Sequence, residues 1–173
     1  MPIFIHAQSD KDMVTRLKPI KENFKRINSI TEWEKIERKD VFDKSSEGGE
    51  VSYYYSNNRL EKIIAIYYGE SGKYISEYYL LDGTLSFVFE QEHRYNRPIY
   101  WTPETAKENG DSEAFDLKKS QISEIRSYFE NGNIIYQLPE DMPNIEQKEQ
   151  VIKNDFAEYL LLLNPDNTGE ETF

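Results

Sequence analysis

The residue types that carry chemistry are thinly spread in this chain. Cysteine is absent, and histidine occurs only as His6 and His93. Disulfides, thiolate nucleophiles and Cys-ligated zinc are thereby excluded, and a Ser-His-Asp arrangement would have to be built on His93. His93 follows Glu90 and Glu92 at the end of a predicted strand. Strand alternation places the two carboxylates on one face and the imidazole on the other, which is poor geometry for a three-ligand metal site. Among the carboxylates, Glu77 stands out because it lies between tyrosines on a strand, where a sheet face would desolvate it and raise its pKa. An outward-facing Glu77 is the simpler reading. The segment Asn109-Gly110-Asp111-Ser112-Glu113 lacks the alternating acids and distant Glu of a calcium loop, and Gly48-Gly49 lacks the Lys-Ser of a phosphate loop. The expectation is no catalytic residue, no metal and no cofactor.

Recognition is the better-supported chemistry. Of the 13 tyrosines, most fall in the predicted strands. Tyrosine and tryptophan supply large contact area at modest entropy cost. Tyr53, Tyr55, Tyr67, Tyr79 and Tyr100, with Trp101, are the candidate ligand-binding residues, on an open sheet face and in the adjoining loop of residues 94–120. The alternative for these rings is packing beneath helices.

The net charge of −11 and the pI near 4.7 argue against nucleic acid and anionic lipid as partners, since both are held by clustered Lys and Arg. No segment approaches the roughly 20 apolar residues that span a bilayer. Residues 1–8, MPIFIHAQ, have the form of the back half of a secretory signal, a short apolar run ending in Ala7 before a charged segment. On that reading the protein works outside the cytoplasm, in the periplasm or secreted; with Met1 as the true start it is cytoplasmic. Residues 9–164 form one domain, and the acidic stretch 165–173 is expected to be a disordered tail.

The elements that would position these residues are marked by turns. Asn57-Asn58, Ser71-Gly72 and Asp82-Gly83 separate four predicted strands between Val51 and His93, because Asn and Gly accept the positive φ of two-residue hairpins. Alternation puts Leu60, Ile64, Ile66 and Tyr68 on one face and Ile63, Ala65 and Tyr67 on the other. It groups Leu85, Phe87 and Phe89 on a single face. Upstream, Met13, Leu17, Ile20, Phe24 and Ile27 form a helical stripe, with a kink or restart expected at Pro19. The later part of Thr31–Phe42 reads as a charged edge strand. Thr102, Pro103 and Gly110 are placed to cap, open and end a helix. A final hairpin turns at Asn131-Gly132, pairing Ile125 and Phe129 with Ile134 and Tyr136. Asn144 and Gln147 have capping-box spacing for a helix running to Leu163, with Ile152, Phe156, Tyr159, Leu160 and Leu163 as its buried stripe.

Tyr54-Tyr55-Ser56-Asn57-Asn58-Arg59-Leu60 matches Tyr128-Phe129-Glu130-Asn131-Gly132-Asn133-Ile134 in residue type, and Tyr79-Leu80-Leu81-Asp82-Gly83-Thr84-Leu85 is a looser third copy. Here the chain resembles bacterial extracytoplasmic proteins built from Tyr-rich hairpins, including the MORN-like repeats of the YwqK-type antitoxin group. The resemblance covers about a third of the chain, lacks that group's regular glycines and brings no catalytic residues. It implies a meander. The expected fold is α+β: an antiparallel β-meander of about six or seven strands, flanked by N- and C-terminal amphipathic helices. The leading functional expectation is a non-enzymatic extracytoplasmic protein that holds an unknown protein, peptide or glycan. A carboxylate-based hydrolase using Glu77 or another sheet carboxylate, and an antitoxin- or immunity-like partner of a basic protein, are the alternatives.

Overall fold

The computed structural model describes residues 3–42 and 44–164, with side chains described from residue 11 onward. It contains one antiparallel sheet in which strands lie in chain order: β1 (Lys35–Val41), β2 (Gly49–Ser56), β3 (Arg59–Gly69), β4 (Gly72–Leu81), β5 (Thr84–Arg94), β6 (Gln121–Glu130) and β7 (Asn133–Leu138). A long helix, α1 (Ile3–Asn28), precedes the sheet, and α3 (Ile145–Leu163) follows it. A short α2 (Pro103–Glu108) sits in the long β5–β6 connection. The α+β meander with terminal helices is thus the architecture of the chain. Among the described residues no helix is long and apolar enough to cross a membrane. The predicted tail and the first two residues lie outside the described residues; the backbone is already helical across Gln8 and Ser9.

The three sequence copies fold alike. Asn57 and Asn58, Asp82 and Gly83, and Asn131 and Gly132 all have positive φ, as the mirror-image hairpin turn requires. Each hairpin then carries one extra residue on its second strand. Tyr54 faces Lys62 while Tyr55 faces Leu60; Tyr79 faces Phe87 while Leu80 faces Leu85; Tyr128 faces Tyr136 while Phe129 faces Ile134. The unpaired residues are Glu61, Ser86 and Ile135. A bulge of this kind resets the alternation of its strand. Leu85 therefore packs in the core beneath α3 while Phe87 packs beneath α1, and the expected single face of Leu85, Phe87 and Phe89 is corrected. For the same reason Leu60 packs with Ile63 and Ala65 on the α3 side.

The helices cover opposite faces. On one side Leu17, Ile20 and Ile27 of α1 meet Tyr79, Phe87 and Tyr128. On the other, Ile152 and Tyr159 of α3 meet Val51, Tyr53, Ile63, Ala65, Tyr78 and Val88. Adjacent residues Tyr78 and Tyr79 thus belong to different cores, as the two-residue period demands. Burying each such side chain contributes about 1.5–3 kcal/mol.

Four local expectations change. Of the kink or restart expected at Pro19, the restart does not occur: α1 runs through it without ending, with Leu17 and Ile20 on either side anchored in the core. Asn144 lies in the left-handed region and makes no side-chain cap to α3, because a capping side chain needs an extended backbone at that position. Ile125 is paired with Glu90 of β5, while Tyr136 faces Tyr128. The β3–β4 turn is centred on Glu70-Ser71, flanked by the pair Gly69 and Gly72. Gly72 is required by crowding: a Cβ there would lie 2.2 Å from the carbonyl oxygen of His93.

Candidate binding site

At the Glu70-Ser71 end of the sheet an open cleft of about 830 Å³ lies beside α3. Its floor is a cross-strand row, Tyr67 of β3, Tyr74 of β4 and Glu92 of β5. The connection Lys44 to Ser46 forms one wall, and Arg94 and Tyr95 form another. The residues meet here because the tight turn brings Tyr67 opposite Tyr74, and β5 then presents Glu92 on the same face.

The tyrosine hydroxyls are anchored to the helix side. Tyr67 Oη is 2.9 Å from the hydroxyl of Tyr159, and Tyr53 Oη donates to the Tyr159 carbonyl at 2.6 Å. Tyr74 donates to Glu90, whose same oxygen Oε1 accepts from Lys148 Nζ at 2.6 Å. Glu90 is only 3% exposed, so this pairing with a helix lysine offsets a large desolvation penalty. Burial raises the phenol pKa of Tyr67 and of Tyr74, the latter reinforced by the Glu90 charge. Both rings therefore stay protonated and act as neutral contact surface. Burial opposes the charge on Lys44, but its hydrogen bonds to Glu158 and Asp155 outweigh this and raise its pKa. It remains a cation at the cleft wall, 5.3 Å from the centre of the Tyr159 ring. Arg94 is held by Glu92 at 2.9 Å. Lys73 projects from the opposite face of the sheet, in register with Tyr68 and His93.

The β5–β6 connection is built rather than loose. Arg97 grips Asp111 with two hydrogen bonds of 2.6 and 3.0 Å, and the indole N–H of Trp101 donates to the same carboxylate at 3.2 Å. The Arg97 hydrogen bonds hold Asp111 well below the usual carboxylate range. Tyr95 packs edge-on against Phe115. The backbone N–H groups of Tyr95 and Ile99 bond to Ser71 and Glu70, fixing the connection to the β3–β4 turn. Thr102 caps α2 through the N–H of Thr105, and Gly110 with positive φ follows its end.

Of the six predicted site residues, Tyr67 lines the cleft. Tyr53 is 0% and Tyr79 1% exposed, and they lie under different helices, so the six do not form one continuous surface. Tyr55 is half-buried beside Lys35. Tyr100 is 55% exposed in the connection, whereas Trp101 is half-buried and ties that connection together. Glu77 lies on the α1 side, accepting from Tyr79 and 4.0 Å from Lys62; it does not enter the cleft. Tyr74, Tyr95 and Lys44 were missed. Tyr74 was within reach of the sequence: centring the turn one residue earlier places it opposite Tyr67. In comparisons with family models, with curated proteins and with solved structures, nothing matches this chain, so its hairpin resemblance carries no function to it.

Proposed function

We propose that this is a binding protein that holds an extended peptide or glycan segment in the cleft beside α3. The observation that supports this reading is the cleft itself: an open trough along which Tyr67, Tyr74 and Tyr95 lie, rimmed by Lys44 and Arg94. Flat aromatic faces with nearby hydrogen-bonding cations suit sugar rings and extended backbone. The exposed Ile99 and Tyr100 extend apolar surface from the neighbouring connection. An extracytoplasmic location belongs to the same proposal and rests on the pattern of residues 1–8. Arrays of peptides and glycans, probed with the purified chain and with Arg94→Ala, test it. The Arg94 side chain is 72% exposed, so its loss should weaken binding about tenfold with little change in Tm. Array binding that ignores Arg94→Ala, or no binding to either class, would contradict it.

A further inference from the structure

A second cavity, of about 200 Å³, opens on the opposite face, where α1 leaves the sheet uncovered. It is lined by Lys21 and Phe24 of α1, Phe87 and Phe89 of β5, and Arg126 and Tyr128 of β6. The sheet contributes a two-by-two block, because Phe87 faces Tyr128 and Phe89 faces Arg126 across the β5–β6 ladder. Lys21 and Phe24, three residues apart, project from the same side of the helix. Phe24 meets Phe87 edge-on, with ring centres 5.2 Å apart.

Four rings make the interior apolar, and the two cations stand at its edges. Lys21 Nζ is 5.9 Å from the Tyr128 ring centre, and the Arg126 guanidinium is 5.2 Å from that of Phe89. Among the described residues Lys21 has no carboxylate within ion-pair distance, while Arg126 shares Glu124 at 2.7 Å. An apolar cavity of roughly 150 Å³ accommodates a benzene ring, so this one has room for a single ring and a short acidic arm.

We propose that this cavity is a binding site for a small monocyclic aromatic carboxylate. The ring lies among Phe24, Phe87, Phe89 and Tyr128, and the carboxylate reaches Lys21 and Arg126. The site is separate from the cleft beside α3 and does not depend on its ligand.

The test is titration of the purified full chain with 3-phenylpropionate, its amide and phenethylamine, followed by calorimetry and amide chemical shifts. The carboxylate should bind at least about tenfold more tightly than the amide, the amount expected for losing one charge-assisted hydrogen bond. Phenethylamine should bind more weakly still. Shifts should centre on Lys21, Phe89 and Arg126 and spare Tyr67 and Tyr95. The variant combining Lys21→Gln and Arg126→Gln, both at exposed positions, should abolish the preference for the carboxylate. Equal affinity for acid and amide, shifts centred elsewhere, an unaltered preference in the double variant, or no carboxylate binding would each overturn the proposal.

Discussion

The two faces of the sheet are covered by helices of similar character, yet to different depths. Beneath α3 two successive cross-strand rows are sealed: Tyr53, Ile63, Tyr78 and Val88, then Val51, Ala65, Ser76 and Glu90. Beneath α1 only the row of Tyr79, Phe87 and Tyr128 is sealed, and the next, containing Ile64, Glu77 and Phe89, is half-buried. Same-face residues along a strand are about 7 Å apart and a helix is about 10 Å wide, so one helix spans between one row and two. On the α3 side, long tyrosines hydrogen-bonded to the helix extend the covered zone. On the α1 side, cover ends abruptly beside Phe89 and leaves the smaller cavity. Both candidate sites therefore arise where a helix stops covering the sheet.

This difference in depth means that substitutions should separate the faces. Tyr78→Ala, which empties the centre of the α3 side, should cost about 3–5 kcal/mol in urea unfolding. Ile64→Ala on the other face should cost less than about 1.5 kcal/mol. Comparable losses would break the comparison. The buried ion pairs sharpen it. Lys148→Ala strands Glu90 without its cation and should cost about 3 kcal/mol, whereas Lys148→Met combined with Glu90→Leu should recover most of that loss. On the α1 side, Arg26→Ala should cost about 1 kcal/mol, because Arg59 remains 3.7 Å from the equally buried Glu61.

Glycine substitutions distinguish the two ends of the sheet. Gly72→Ala must displace β5 backbone and should cost about 3 kcal/mol. Gly83→Ala meets no atom within 4 Å and suffers only its positive φ of 78°, about 1 kcal/mol. The smallest effect concerns pH. Burial, aided by the facing Lys73, lowers the pKa of His93 from 6.5. The unfolded chain then takes up the proton more readily. The His93 contribution is complete above pH 6.5 and is lost as pH falls through the unfolded value towards the folded one. Denaturation between pH 5 and 8 should show a shallow slope that His93→Gln removes.

Turn chemistry made much of the meander legible from the amino-acid sequence. Asn57-Asn58, Asp82-Gly83 and Asn131-Gly132 announce positive φ, and the hairpins form there. The bulges did not show. Glu61, Ser86 and Ile135 share no residue type, since what defines them is an unpaired position, and each reverses the facing of the residues around it. Gly72 misled because glycine serves two purposes, positive φ and close approach, and only the second operates there. The cleft was half legible. Tyr67 was identified, but Tyr53 and Tyr79 look the same in sequence and are buried, because nothing local tells which face a distant terminal helix will choose.

The central claim, that the tyrosine cleft is where this protein meets its ligand, is tested most directly by site-specific photocrosslinking in cells. A benzophenone side chain at position 94 samples the cleft, and one at exposed position 14, on α1, samples the opposite face. A discrete crosslinked peptide or glycan species is expected from position 94 and absent from position 14. Crosslinks of the same pattern from both positions, or from position 14 alone, would contradict it.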